Sequence, residues 1–170
     1  MSWFEDIKIG TATELGSHTF TKEDIVAFAE KYDPQPFHLD EEAARQTHFG
    51  GLVASGWHTA SVWMKLMIET RRDAPEEEVP PAPDRRPAPK GGPSPGFLDL
   101  KWLKPVRAGD TISYRTTVVE KINLKSRPML GIVRSRNEGF NEKGELIFSF
   151  LGQGLIERRD AYKGEETNDS

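Results

Sequence analysis

The sequence predicts an α+β fold in which an antiparallel sheet curves around one long central helix. Three observations predict it. Residues 56–69 carry apolar side chains on almost every face of a helical wheel, so a helix there needs cover nearly all round. From Phe97 onward the chain turns to runs rich in β-branched and aromatic residues. Three of those runs follow one another across short turn sequences, as in an antiparallel meander.

The elements follow in chain order. Thr11 to Phe20 reads as a first strand after a turn at Gly10. Thr21 can cap the open amides of a helix, with Asp24 three residues on, and Ile25, Phe28 and Ala29 form its apolar stripe through Tyr32. Pro34 ends that helix, because the residue before a proline avoids helical angles. Pro34 and Pro36 then stiffen the loop that follows. Asp40 can cap a short helix over Glu41 to Gln46, and the turn at Phe49, Gly50 and Gly51 leads toward the central helix, Gly56 to Glu69. About 14 residues at 1.5 Å rise give it a length of roughly 20 Å. Arg71 and Arg72 lie at its carbonyl end, where cations are favoured.

Residues 73–96 hold eight of the twelve prolines and little to bury, so a surface loop or insertion is expected over about 73–92. Its Arg85, Arg86 and Lys90 read first as solvated charges. Strands are expected at Phe97 to Lys104, Thr111 to Ile122, Met129 to Asn137 and Glu145 to Ile156, and a polar tail at 158–170. The length of 170 residues suits a single domain over 1–157. A sheet of this kind has two edges, and pairing one with a second copy would cover it, so a homodimer or a dimer of dimers is expected.

Composition excludes several classes. Formal net charge is −4 and no basic stripe stands out, which argues against nucleic acid as a partner. There are no cysteines, hence neither disulfides nor thiolate chemistry. Residues 52–68 are the most apolar stretch, but His58, Ser61 and Lys65 interrupt it, so no membrane span is expected. With no signal-like start, a cytoplasmic location is the simplest expectation.

The strongest chemical pair is Asp33 and His38, separated by two prolines. A carboxylate beside an imidazole can fix its tautomer and raise its basicity, which is what acid–base chemistry near neutral pH needs. Alternatively Asp33 acts on water while His38 orients it. The plain structural alternative is that Asp33 caps local amides and His38 is a loop residue. A second element is the start of the central helix, whose first amides lack intrahelical partners. At Gly56 little side chain would block a ligand carbonyl, and amides around Gly56 and Trp57 would stabilise negative charge on its oxygen. Ser55 can cap this helix. His38, Asp40, His48 and His58 have ligating atoms, but their spacing matches no zinc pattern, so no metal is expected. Trp57 is the aromatic residue placed to line a pocket.

The stretches YDPQPFHLDEEAA, FGGLVASGWHTA and SPGFLDLKWLKPVRAGD together resemble the MaoC-like family of acyl dehydratases and (R)-specific enoyl-CoA hydratases. The resemblance covers about residues 5–72 and 93–157. It implies a hot-dog fold, an antiparallel sheet wrapped around a long helix, assembled through dimers. It implies Asp33 and His38 as the catalytic pair of a D-x-N-P-x-H loop, with Gln35 standing where the family has Asn and Pro36 retained. It implies that the Gly56 amide polarises a thioester carbonyl, and that Ser61 matches a helix serine that helps hold the catalytic loop. Gln35, Ser55, Trp57 and Ser61 are thus the expected substrate-binding residues. The implied reaction is reversible syn addition of water to a trans-2-enoyl-CoA, with no cofactor beyond the coenzyme A of the substrate. Lys101, Arg107, Lys125 and Arg127 are candidates for its phosphates. A hot-dog thioesterase is an alternative, although residues 51–68 contain no Asp or Glu. A non-catalytic acyl-CoA-binding protein is another.

Overall fold

The structure, a computed structural model, describes residues 2–74, 87, 89 and 92–164. Most of the proline-rich segment, with Arg85, Arg86 and Lys90, lies outside the described residues, as does the end of the polar tail. Five strands form one antiparallel sheet: β1 (Ala12–Thr19), β2 (Gly96–Trp102), β3 (Thr111–Asn123), β4 (Leu130–Phe140) and β5 (Leu146–Glu157). Their spatial order is β1-β3-β4-β5-β2. The expected meander is its centre, and the two strands from earlier in the chain close its flanks. Each long pair is irregular at one point, as where β1 shifts register between Glu14 and Gly16. Such bulges raise the local twist and help a sheet wrap.

Among the described residues, four helices lie between β1 and β2. α1 (Lys22–Tyr32) starts where Thr21 accepts a hydrogen bond from the Asp24 amide. Of the expected stripe it buries Ile25 and Ala29, half-buries Phe28 and leaves Tyr32 exposed. The segment read as a stiff loop contains a short helical turn, α2 (Pro36–Leu39), with Pro36 at its first position. Proline is well placed there because its fixed φ suits the first turn and its missing N–H would be unpaired anyway. α3 (Glu41–Arg45) follows, capped by Asp40 through the Ala43 amide at 2.7 Å.

The central helix α4 (Gly56–Asp73) is a turn longer than expected. It turns His58, Thr59, Val62, Trp63 and Met67 inward. That face packs with Leu15, Phe20, Ile112, Tyr114 and Phe148. Full burial of side chains such as Phe148 and Ile112 contributes about 1.5–3 kcal/mol each. The expectation of burial all round is corrected: Trp57, Met64 and Ile68 are about half exposed. A five-stranded sheet reaches round one side of the helix, so among the described residues this second stripe is only half covered.

Candidate active site

α1 ends at Asp33, whose backbone amide donates to the Ala29 carbonyl. Pro34 and Pro36 then reverse the chain so that α2 brings His38 back against it. His38 is 5 % exposed. Its Nδ1 lies 2.7 Å from the Val53 carbonyl oxygen. A carbonyl only accepts, so Nδ1 carries the proton and donates. Nε2 therefore faces Asp33, 3.3 Å from Oδ2. A neutral imidazole of this tautomer has a lone pair at Nε2, and two acceptors face each other unless a proton or a donor stands between them. The pair is thus built to hold one proton.

Asp33 has two further donors. Gln35 Nε2 donates to Oδ1 at 2.8 Å, and the Ser55 hydroxyl donates to Oδ2 at 2.6 Å. Burial pushes the Asp33 carboxyl up, but the hydrogen bonds from Ser55 and Gln35 and the His38 charge outweigh it and hold the group below its usual range. The carboxylate is thereby held in its ionised form.

Ser55 also caps α4, accepting from the Trp57 amide at 3.2 Å. This narrows the sequence-based expectation that amides around both Gly56 and Trp57 are open. The Trp57 N–H is taken, and the Gly56 N–H, at the first helical position, is the one left facing outward with the positive end of the helix dipole. Gly56 has a further constraint that the sequence did not disclose. A Cβ built there would lie 2.5 Å from the indole of Trp102. Trp102 donates through Nε1 to the Gly56 carbonyl at 2.9 Å and meets Trp57 edge to face at 5.2 Å. Glycine is thus required because a tryptophan from β2 lies on the helix start. The signal for Trp102 in the sequence was only its place in an alternating strand, 46 residues away.

Ser61 differs from the expectation. Its hydroxyl donates to the Trp57 carbonyl one turn earlier and is exposed, so it does not reach the loop carrying Asp33. The residue that does is Ser55. The Trp57 and Ser61 side chains instead line a half-open cleft of about 1170 Å³ between α4 and the sheet, which runs along the helix past Met64 and Met67. Of the phosphate candidates, Arg107 spends one guanidinium nitrogen on the Phe49 carbonyl at 2.6 Å. Among the described residues, no three His, Asp or Glu side chains gather as metal ligands, and no helix is long and apolar enough to cross a membrane.

A curved antiparallel sheet around α4, with a buried His–Asp pair beside the helix start, defines the class: the chain belongs to the MaoC-like family of hot-dog-fold proteins. The family model for the MaoC like domain matches residues 6–79. The MaoC-like dehydratase from Rhodospirillum rubrum is 36% identical, with a TM-score of 0.73, and the match covers 93% of this chain and 98% of that one. The 3-hydroxybutyryl-CoA dehydratase of Methylorubrum extorquens is 29% identical over 150 residues, covering 85% of this chain and 82% of that protein. The YdeM protein of Bacillus subtilis is 40% identical over 65 residues, which span 38% of this chain and 46% of that protein. The His38–Asp33 pair is an acid–base constellation consistent with a hydratase or dehydratase site.

Proposed function

We propose that the protein is a hydro-lyase acting on acyl-CoA thioesters, adding water reversibly to a trans-2-enoyl-CoA, with residues 1–157 as its single catalytic domain. The observation that carries this reading is the Asp33–His38 contact of 3.3 Å, tied through Ser55 to the helix end where the Gly56 amide is open. Water sits beside the pair, within reach of both the carboxylate and the imidazole. Asp33 takes one proton from it as the oxygen bonds to C3. The proton on His38 Nε2 goes to C2. Negative charge on the thioester oxygen is met in between by the Gly56 N–H. Asp33 ends protonated and His38 neutral, and passing that proton from one to the other resets the pair. Dehydration is the same path reversed. Trp57 and Ser61 line the cleft for the acyl group, and coenzyme A is part of the substrate rather than a cofactor.

A homodimer in the cytoplasm, or a dimer of dimers, completes this reading. Support for association comes from the half-exposed Phe97, Leu98, Trp102 and Leu103 on and just beyond β2. This strand pairs with β5 alone among the described strands.

The test follows loss of the conjugated enoyl-thioester absorbance over short, long and branched trans-2-enoyl-CoAs. Turnover is expected, with Asp33→Asn and His38→Ala each about a hundred-fold or more slower while folded. Mutants that stay folded and turn over like the wild type would remove the pair from the mechanism. Release of free thiol instead of hydration would make the protein a thioesterase.

A further inference from the structure

Capping α4 asks only that the Ser55 oxygen accept a hydrogen bond; it leaves the hydroxyl proton uncommitted. Here that proton is committed. Ser55 is 1 % exposed, so solvent does not compete for it, and its Oγ lies 2.6 Å from Asp33 Oδ2. The lone pair facing the Trp57 amide at 3.2 Å leaves one sensible direction for the O–H, toward the carboxylate. Gln35 secures the other carboxylate oxygen. The result is one chain of donors: Gln35 to Asp33, Ser55 to Asp33, and the Trp57 amide to Ser55. It crosses from the end of α1 to the start of α4, a separation of 22 residues between Asp33 and Ser55.

We infer that Ser55 is a positioning residue that fixes the aim and the charge of Asp33 and locks it in register with the open amide of Gly56. This rests on the proposed roles of Asp33 and His38. Each carboxylate oxygen has one neutral donor and keeps a lone pair for water, so the carboxylate cannot rotate without breaking a bond, and both donors favour its ionised form. The titratable group set against it among the described residues is His38, on α2; α4 supplies the Ser55 hydroxyl and no charge. Gln35, which stands where the family motif has asparagine, reaches Oδ1 with its side-chain amide from two residues on.

The experiment uses the full chain and Ser55→Gly. Glycine is a tolerated cap, so the helix start loses a few tenths of a kcal/mol while the hydroxyl is removed. The Asp33 carboxyl is titrated by carbon-13 NMR, its signal assigned by its absence in Asp33→Asn. In the wild type the midpoint is expected below the ordinary carboxylate value of about 3.9. In Ser55→Gly it rises by about one pH unit. The turnover number for an enoyl-CoA falls while KM holds, and Ser55→Thr restores both. Ser55→Ala serves the same purpose where the glycine variant does not fold. A wild-type midpoint at or above 3.9, or no shift on removing the hydroxyl, reduces Ser55 to a helix cap and overturns the inference. A shifted midpoint in a protein that hydrates no enoyl-CoA leaves this inference standing and removes the proposed reaction instead.

Discussion

Gly56 carries two demands at once: its N–H faces out of the helix end and its Cα lies under the Trp102 indole. Gly56→Ala drives a methyl to within 2.5 Å of that ring, so the tryptophan has to move. Overpacking of this kind costs about 1–3 kcal/mol, and a urea melt will read it as a lower midpoint. The same variant is expected to slow hydration, because the helix start shifts with the ring. A variant with wild-type stability and turnover would show that Trp102 yields freely. At this scale the sequence named most of the players and misassigned some of their work. Asp33, His38 and Gln35 were legible because two prolines compress them into six residues. Ser55 was read as a cap and a substrate-binding residue, and the resemblance gave Ser61 the task of holding the loop, because neither spacing nor motif says which serine faces a loop 22 positions earlier. Trp102 was not legible, since its contact with Gly56 depends on where β2 lies in the finished sheet.

Among the elements, α4 carries a second titratable feature on its buried side. His58 stacks flat on Phe28 of α1, with ring centroids 4.6 Å apart, and meets Phe20 edge-on. Its Nδ1 is buried with no partner among the described residues. Burial first, then the neighbouring His18, push its pKa down to about 4, and Asp24 only partly offsets them. An unfolded histidine protonates near 6.5, so between about pH 6.5 and 4 the unfolded state binds a proton that the native state refuses. Stability is therefore full above pH 6.5 and falls on acidification through that window, by about 3 kcal/mol at most. His58→Phe keeps the stack and has no proton to bind. Its urea midpoints at pH 5 and pH 7 are expected to lie closer together than those of the wild type; an unchanged gap would assign the acid sensitivity elsewhere. The boundaries of α1, α3 and the three meander strands were legible to within a few residues, because caps, prolines and alternation are local signals. The helical turn α2 was hidden by Pro34 before it and Pro36 within it, which read together as loop until Pro36 is seen at a helix's first position.

For the whole molecule the decisive surface is the outer edge of β2. Its half-exposed Trp102 meets Trp57 at the start of α4, the helix on which Met64 and Ile68 are half exposed among the described residues. A second copy that pairs edge to edge would cover this surface. Sedimentation is expected to give a dimer, and Leu98→Lys on that edge to shift it toward monomer; a wild-type monomer at high concentration would leave the face for another partner. The meander could be read from the chain because its strands are neighbours in sequence. The docking of β1 on β3 and β2 on β5 could not, because those partners lie about a hundred and about fifty residues apart and leave no local mark. The same edge has a spectroscopic use. Of the four tryptophans, Trp3 and Trp63 are buried, whereas Trp57 and Trp102 are half exposed and touch each other at the helix start. The water-sensitive part of the protein's fluorescence thus comes from a pair of indoles at the proposed reaction centre. A blue shift of their emission would report substrate arriving there, in real time and with no label attached.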